Sequence, residues 1–359
     1  MTTKLLPELQ RSAQSPRRRV AAPARRDLAG YAAALAIIAL LVPLRGLWAV
    51  QVLLVPLLLV VPGVVLLRAL RVPGRTVASF PVYVPCASIV VLFGSGLAVD
   101  LAGPLVGVAA PLRTGPLLAG LEITCLALLA ASARAPSEVA IPWRSLTERT
   151  RYVWPLLVAA AAAAGALRLN SGDGNTVAAI ALAACAVIIV AGLVFASRVD
   201  TALLAVILYA AELATMWSFS LRGDLVYGFD ISTEYYDLQQ AVTHGIWYTA
   251  HRGDAYGAML SVTVMPAELH FLTGLPALLV LKVVYPVIGA LLPVAIFYLA
   301  RRVLSARWAF AAAGFFVMQA SFAQELPAIA RQEIALVLFA ALLAAMLESS
   351  VPRRPRWAL

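Results

Sequence analysis

Ten apolar segments, most of them close to the length that crosses a bilayer, dominate this chain of 359 residues. A transmembrane helix needs about 20 apolar residues and must satisfy its backbone hydrogen bonds internally. By residue number, the segments are 28–44, 48–67, 82–102, 115–132, 152–169, 176–196, 201–220, 274–299, 308–322 and 333–348. The first, ninth and tenth are short. The pattern predicts an all-α, polytopic transmembrane helical bundle of about ten helices.

Composition agrees with a membrane protein and argues against nucleic-acid binding. The chain is 62% hydrophobic and 13% charged. Its net charge of +10 is spread over short turns, where basic residues meet anionic lipid, so we expect membrane lipid and no nucleic acid as a partner. Three cysteines lie inside apolar stretches and indicate neither a disulfide framework nor a metal site; they are Cys86, Cys125 and Cys185.

The distribution of charge predicts an orientation in the plasma (inner) membrane of a bacterial cell. With a cytoplasmic N-terminus, 21 of the 28 Lys and Arg residues fall in cytoplasmic tails and turns. Acidic residues concentrate on the opposite side. We therefore expect a multi-pass protein with retained basic tails at 1–27 and 349–359 inside, and with the long polar loop 221–256 on the extracytoplasmic side.

The organisation of the chain changes near residue 200. Residues 28–199 read as a six-helix transmembrane module with short connections. Residues 200–348 form a second transmembrane part, whose loops are longer and chemically varied. Its loop 221–256 is rich in acidic and aromatic residues, so candidate chemistry is concentrated there.

That loop predicts an amphipathic helix with an acidic stripe. If the helix begins just after Phe229, then Asp230, Glu234 and Asp237 lie at i, i+4 and i+7 on one face. The pair His244-Gly245 would end it. Paired carboxylates could act as a general base or hold a divalent cation such as magnesium or manganese. Alternatively, Asp230 is a helix N-cap and the other two form a solvated face.

Two cations and two carboxylates elsewhere are further candidates. Lys282 lies in an apolar run, where it is either functional or snorkels to the interface. Arg331 lies near the start of the tenth segment, where dipole and guanidinium favour an anion such as phosphate. The alternative is a surface pair of Arg331 with Glu325 or Glu333. Glu122 and Glu212, within predicted segments, are either packing contacts or proton sites.

Four short pieces of the last 140 or so residues resemble a family of large prokaryotic membrane proteins similar to GT-C glycosyltransferases. The pieces are GFDISTEYY (228–236), MLSVTVMP (259–266), KVVYP (282–286) and ARQEIA (330–335). The resemblance implies a GT-C-like fold for the C-terminal part, with the six-helix module added before it. It also implies transfer of a sugar from a polyprenyl-phosphate donor to an acceptor on the outer face, in cell-envelope assembly.

Residue roles follow from the same resemblance. Asp230 matches the catalytic acidic position, with Glu234 as its partner, and both are the metal ligands if a cation takes part. Candidate substrate-binding residues are Arg331, Lys282, His244 and Arg252. Two other functions stay open. One is a transporter or lipid carrier. The other is a non-catalytic scaffold that partners a larger envelope-assembly subunit, an alternative suggested by a chain shorter than the members of that family.

Overall fold

A computed structural model describes residues 23–133, 152–247 and 254–348, with side chains from residue 28 onward. Within these ranges the chain forms fourteen helices and no strand. The first seven are α1 (Pro23–Leu41), α2 (Trp48–Ala69), α3 (Gly74–Ser79), α4 (Tyr83–Ala102), α5 (Thr114–Ser132), α6 (Leu156–Asn170) and α7 (Thr176–Phe195). The others are α8 (Thr201–Ser220), α9 (Phe229–His244), α10 (Val264–Thr273), α11 (Ala277–Ala300), α12 (Ala306–Val317), α13 (Ala320–Ala328) and α14 (Ala330–Leu347).

Each of the ten predicted segments corresponds to one apolar helix. Among the described residues, seven helices are long and apolar enough to cross a membrane: α2, α4, α5, α7, α8, α11 and α14. Three more are apolar but shorter: α1, α6 and α12. The predicted all-α polytopic bundle is therefore confirmed. Its orientation in the membrane stays a prediction.

Helix α11 lies at the centre of the bundle, while α5 and α7 lie at its periphery. The apolar window of α11 is 72% buried, against 22% for α5 and 28% for α7. Large apolar side chains on the two peripheral helices are exposed, among them Ile123, Ile180 and Val187. Such side chains suit contact with lipid rather than with water.

Two hydrophobic cores meet along α11. One contains residues of α1, α5, α9 and α10, the other contains residues of α6, α7, α8, α12 and α13, and both contain residues of α2, α4, α11 and α14. Residues of α11 belong to both cores, its first half to one and its second half to the other. Each core draws on sequence from before and after residue 200. Helix α11, together with α2, α4 and α14, therefore connects the two cores.

A π-helical turn over Val280–Val284 interrupts α11. Pro286 has no N–H to donate to the carbonyl of Lys282, four residues earlier, so that carbonyl needs another donor. The Ser220 hydroxyl supplies it at 2.8 Å, and the Trp217 indole N–H donates to the carbonyl of Val283 at 3.3 Å. Side chains of α8 thus satisfy backbone groups that the π turn releases inside the bundle.

Candidate functional site

The acidic loop folds into α9, with the boundaries that its sequence predicts. The helix runs from Phe229 to His244, and Gly245 ends it in the left-handed conformation at φ +68°. Glycine adopts that conformation without steric cost. The Ser232 hydroxyl donates to the carbonyl of Gly228, just before the first turn. Both predictions about this helix, its start and its glycine end, are confirmed.

Gly228 sets the position at which α9 begins. Its φ of +135° and ψ of +156° lie in a region that essentially only glycine occupies. A Cβ at this position would also lie 2.9 Å from the Cβ of Ala328, at the end of α13. The start of the acidic helix is therefore held close to the turn that precedes α14.

We expect Gly228→Ala to lower the free energy of unfolding by about 1–3 kcal/mol, since the substitution adds backbone strain and a close contact. The matched control is Gly94→Ala, because Gly94 is an exposed glycine within α4 and its added Cβ would meet no atom within 4 Å. Denaturant unfolding in detergent micelles measures both. Equal stability of the two variants would contradict the assigned role of Gly228.

The acidic stripe of α9 faces the protein. Glu234 and Asp237 are buried, and Asp230 is partly exposed. The alternative of a solvated face is therefore wrong, because Glu234 and Asp237 are buried. The N-cap alternative for Asp230 is wrong as well, because Gly228 occupies the N-cap position and Asp230 lies in the first turn. The opposite face exposes Phe229 and Tyr236.

The predicted acidic and basic residues meet at the start of α14. One Arg331 guanidinium nitrogen donates to Asp230 Oδ2 at 2.9 Å, and another donates to Glu234 Oε1. The alternative of a pair with Glu325 or Glu333 is wrong, since the partners of Arg331 come from α9. Tyr256 completes the group: its hydroxyl donates to Asp230 Oδ1 at 2.9 Å, and its ring lies 4.7 Å from the Arg331 guanidinium carbon. We call these four residues the Arg331 cluster.

Glu234 anchors the cluster to the N-terminus of α14. Its Oε2 accepts the backbone N–H of Ala330 at 2.7 Å. Carboxylates are favoured at a helix N-terminus because the first N–H groups lack partners and the helix dipole is positive there. The anion that occupies this helix start is thus a side chain of the protein. A phosphate would meet the exposed side of Arg331 instead.

The two carboxyl groups of the cluster differ in their electrostatics. Hydrogen bonds from Arg331 and Tyr256 lower the pKa of Asp230, so it is ionised at neutral pH. Burial raises the pKa of Glu234, although Arg331 and the backbone N–H of Ala330 oppose that effect. Their side chains are 26% and 0% exposed, respectively. Asp230 is therefore the carboxylate that a ligand can reach. Glu234 is the buried carboxylate that positions Arg331.

The cluster in this arrangement does not fit a divalent cation. All four oxygens of Asp230 and Glu234 accept hydrogen bonds from Arg331, Tyr256 or Ala330. Among the described residues, no group of three or more His, Cys, Asp or Glu could hold a metal ion. Magnesium or manganese would have to displace Arg331, so we derive no step through a metal.

Lys282 lies apart from the cluster and is almost fully buried. Its ammonium donates to the backbone carbonyls of Gly223 at 2.6 Å and Leu225 at 2.9 Å, with a longer contact of 3.4 Å to Arg222. These contacts use its three N–H donors on the loop between α8 and α9. Lys282 therefore has a structural role in this loop, and its role in substrate binding stays a prediction.

We expect Lys282→Met to destabilise residues 222–225 locally by about 1.5–3 kcal/mol, because hydrogen bonds from a charged group are lost. Faster hydrogen exchange and proteolysis of this loop, with little change elsewhere, would show it. Arg222→Met is the matched control, since exposed Arg222 loses one side-chain bond, to the carbonyl of Ser218. Identical loop protection in the two variants would contradict the assignment.

Of the two remaining predicted site residues, the structure describes His244, which does not join the cluster. His244 lies at the opposite end of α9, about 20 Å from Asp230 along the helix, and its Nδ1 contacts the carbonyl of Gln240. Arg252 lies outside the described residues. Tyr256 is the member that sequence reasoning missed as a site residue. Its position in a loop of acidic and aromatic residues is consistent with a role in the site. The same position is also typical of a tyrosine at the membrane interface, so the sequence does not distinguish the two.

An exposed apolar surface borders the cluster. Leu225, Tyr227, Phe229 and Tyr236 are between 57% and 86% exposed. The Phe219 and Tyr227 rings pack edge to face, with their centroids 5.7 Å apart. Exposed aromatic side chains beside charged groups are typical of a membrane–water interface. The site thus combines ionic groups with an exposed aromatic surface.

Comparison with protein-family models, with curated proteins and with solved structures gave no match for this chain.

Proposed function

We propose that this protein is a membrane transferase similar to GT-C glycosyltransferases, which moves a sugar from a polyprenyl-phosphate donor to an acceptor hydroxyl. One observation carries the proposal: a partly exposed carboxylate and guanidinium pair lies beside an exposed aromatic surface, at the end of a membrane-length helix. This combination suits a substrate with an apolar tail, an anionic phosphate and hydroxyl groups.

Arg331 is suited to the donor phosphate. Two of its five N–H donors bond to Asp230 and Glu234, and its side chain is 22% exposed. A planar guanidinium matches the geometry of a phosphate. Glu234 is fully buried and the Arg331 side chain is partly exposed, so a ligand can approach the arginine.

Asp230 is suited to the acceptor. In the proposed reaction, the bond between the anomeric carbon and the donor phosphate oxygen breaks, and that carbon bonds to the acceptor oxygen. The proton of the acceptor hydroxyl passes to the ionised Asp230 carboxylate. The negative charge of the leaving polyprenyl phosphate is neutralised by Arg331. Glu234 is the positioning residue for this arginine.

The test is an assay of the full chain in lipid nanodiscs with a panel of polyprenyl-phosphate sugars. We expect free polyprenyl phosphate to appear by mass spectrometry, at equal rates in the wild type and in Asp173→Asn, a variant at an exposed aspartate remote in sequence from the cluster. Donor binding without release of polyprenyl phosphate would favour a lipid carrier. Neither binding nor release across the panel would contradict both functions and favour a scaffold.

A further inference from the structure

Two more glutamates, besides Glu234, lie buried beneath the Arg331 cluster. Glu333 on α14 is 1% exposed, and Glu212 near the middle of α8 is fully buried. Within the described residues, neither oxygen of Glu212 has a hydrogen-bond partner, and Oε2 of Glu333 has none. Of these two, the sequence marked only Glu212 as a residue inside the bundle. We call Glu212 and Glu333 the interior carboxyl pair.

The pair continues the line of acidic groups that begins at the surface. Glu333 interacts electrostatically with both Glu234 and Glu212. Arg331 and Glu333 are two residues apart on α14, so they point to different sides of that helix. The arginine therefore points to the partly exposed cluster, and the glutamate points into the bundle.

Close helix packing holds Glu333 near α8 and α11. A Cβ on Gly289 of α11 would lie 3.3 Å from the Cβ and Cδ of Glu333, and 2.8 Å from Met216 Cε. Met216 lies one turn after Glu212 on α8, so both point to the same side. The absence of a side chain at Gly289 thus allows the faces that carry the two carboxyl groups to approach each other.

The surroundings of the pair favour a bound proton. The titratable groups that face Glu333 from the neighbouring helices are Glu234, Tyr285 and Glu212. Glu333 is the ionisable neighbour of Glu212 among the described residues. A carboxylate without a partner in an apolar interior loses its hydration, which makes the neutral acid the stable form. A metal ion would need more oxygen ligands than this described region supplies.

We propose that Glu212 and Glu333 form a proton-binding site inside the bundle, which exchanges protons with the surface through Glu234. When a bound anion takes up part of the Arg331 charge, Glu234 accepts a proton from the carboxyl group of Glu333. The proton returns to Glu333 when the anion leaves, so each transfer moves one proton between these two residues and Glu212 stays protonated. Intramembrane carboxyl groups in series serve as proton relays.

Infrared spectroscopy of the full chain in lipid, without a sugar donor, tests the proposal independently of transferase activity. We expect the wild type at neutral pH to show a carbonyl band of protonated carboxyl groups that shifts in D₂O. Part of this band disappears in Glu212→Gln and in Glu333→Gln. It is unchanged in Glu325→Gln, a variant at an exposed glutamate of α13. In Glu234→Gln the band persists, but its shift in D₂O is slowed.

Three results would overturn the proposal. The first is the absence of a protonated carboxyl band at neutral pH. The second is a band that both interior variants retain. The third is loss of the band on addition of sodium or potassium ions, which would identify a cation site instead. If one interior variant fails to fold, the other variant and the deuterium shift of the wild type still decide the question.

Discussion

Replacement of Asp230 by asparagine is expected to lower the rate of sugar transfer by about 10²–10⁴-fold, the usual contribution of positioned proton transfer. Asparagine keeps the shape of the side chain and cannot accept the proton. The Arg331–Glu234 contact remains in the variant, so the fold is expected to survive. Turnover of polyprenyl-phosphate sugar in nanodiscs is the measurement. Near-normal turnover in a folded Asp230→Asn protein would remove this residue from the mechanism.

The same residue predicts an acid limb in the pH profile. Because Arg331 and Tyr256 lower the pKa of Asp230, its carboxylate stays charged below the usual range for aspartate. Its contribution to stability is present above the pKa of unfolded aspartate and is lost as pH falls through the lowered pKa of the folded state.

The lowered pKa of Asp230 also bears on the rate. Because the carboxylate is charged at neutral pH, we expect the rate of sugar transfer to be insensitive to pH there and to fall only in strong acid.

Replacement of Arg331 by methionine is expected to cost about 3 kcal/mol of stability, because it leaves Glu234 buried without a positive partner. The cost of an unpaired buried charge exceeds the net value of the pair itself. Denaturant unfolding in detergent gives the free energy. If Arg331 binds the donor phosphate, as we propose, the variant is also expected to lose binding of polyprenyl phosphate.

Two further variants separate these effects. Arg302→Met removes the pair with Glu348, whose side chains lie 3.4 Å apart and are both partly exposed, and is expected to cost at most about 1 kcal/mol. Adding Glu234→Gln to Arg331→Met is expected to restore much of the stability, since the amide carries no charge. A double variant as unstable as Arg331→Met alone would show that packing, rather than charge, accounts for the loss.

Local patterns in the sequence predicted the helices of this fold well. The ten apolar segments and the glycine end of α9 depend on residues that are adjacent or nearly adjacent in the chain. The π turn in α11 was not predicted, since it depends on donors from Ser220 and Trp217 in another helix. The division into a module at 28–199 and a second part at 200–348 stays a prediction, and each core contains residues of both parts.

The sequence predicted most residues of the candidate site, but it did not predict which of them contact each other. Spacing placed Asp230 and Glu234 on one face, and the position of Arg331 suggested an anion site. The two contacts between these residues join positions about 100 apart in sequence, which helix periodicity does not indicate. Glu333 was read as a surface partner of Arg331 because the two are close in sequence. Packing of α14 against α11 buries it instead.

The π turn in α11 also sets the rotational phase of that helix. One residue inserted into a turn rotates everything beyond it by about 100° relative to a continuous α-helix. Lys282 lies within the turn and meets the loop before α9, whereas Gly289 lies beyond it and faces Glu333. A helix without the extra residue would direct one of these two faces away from its partner. A single inserted residue thus allows α11 to contact the acidic loop through Lys282 and Glu333 through Gly289.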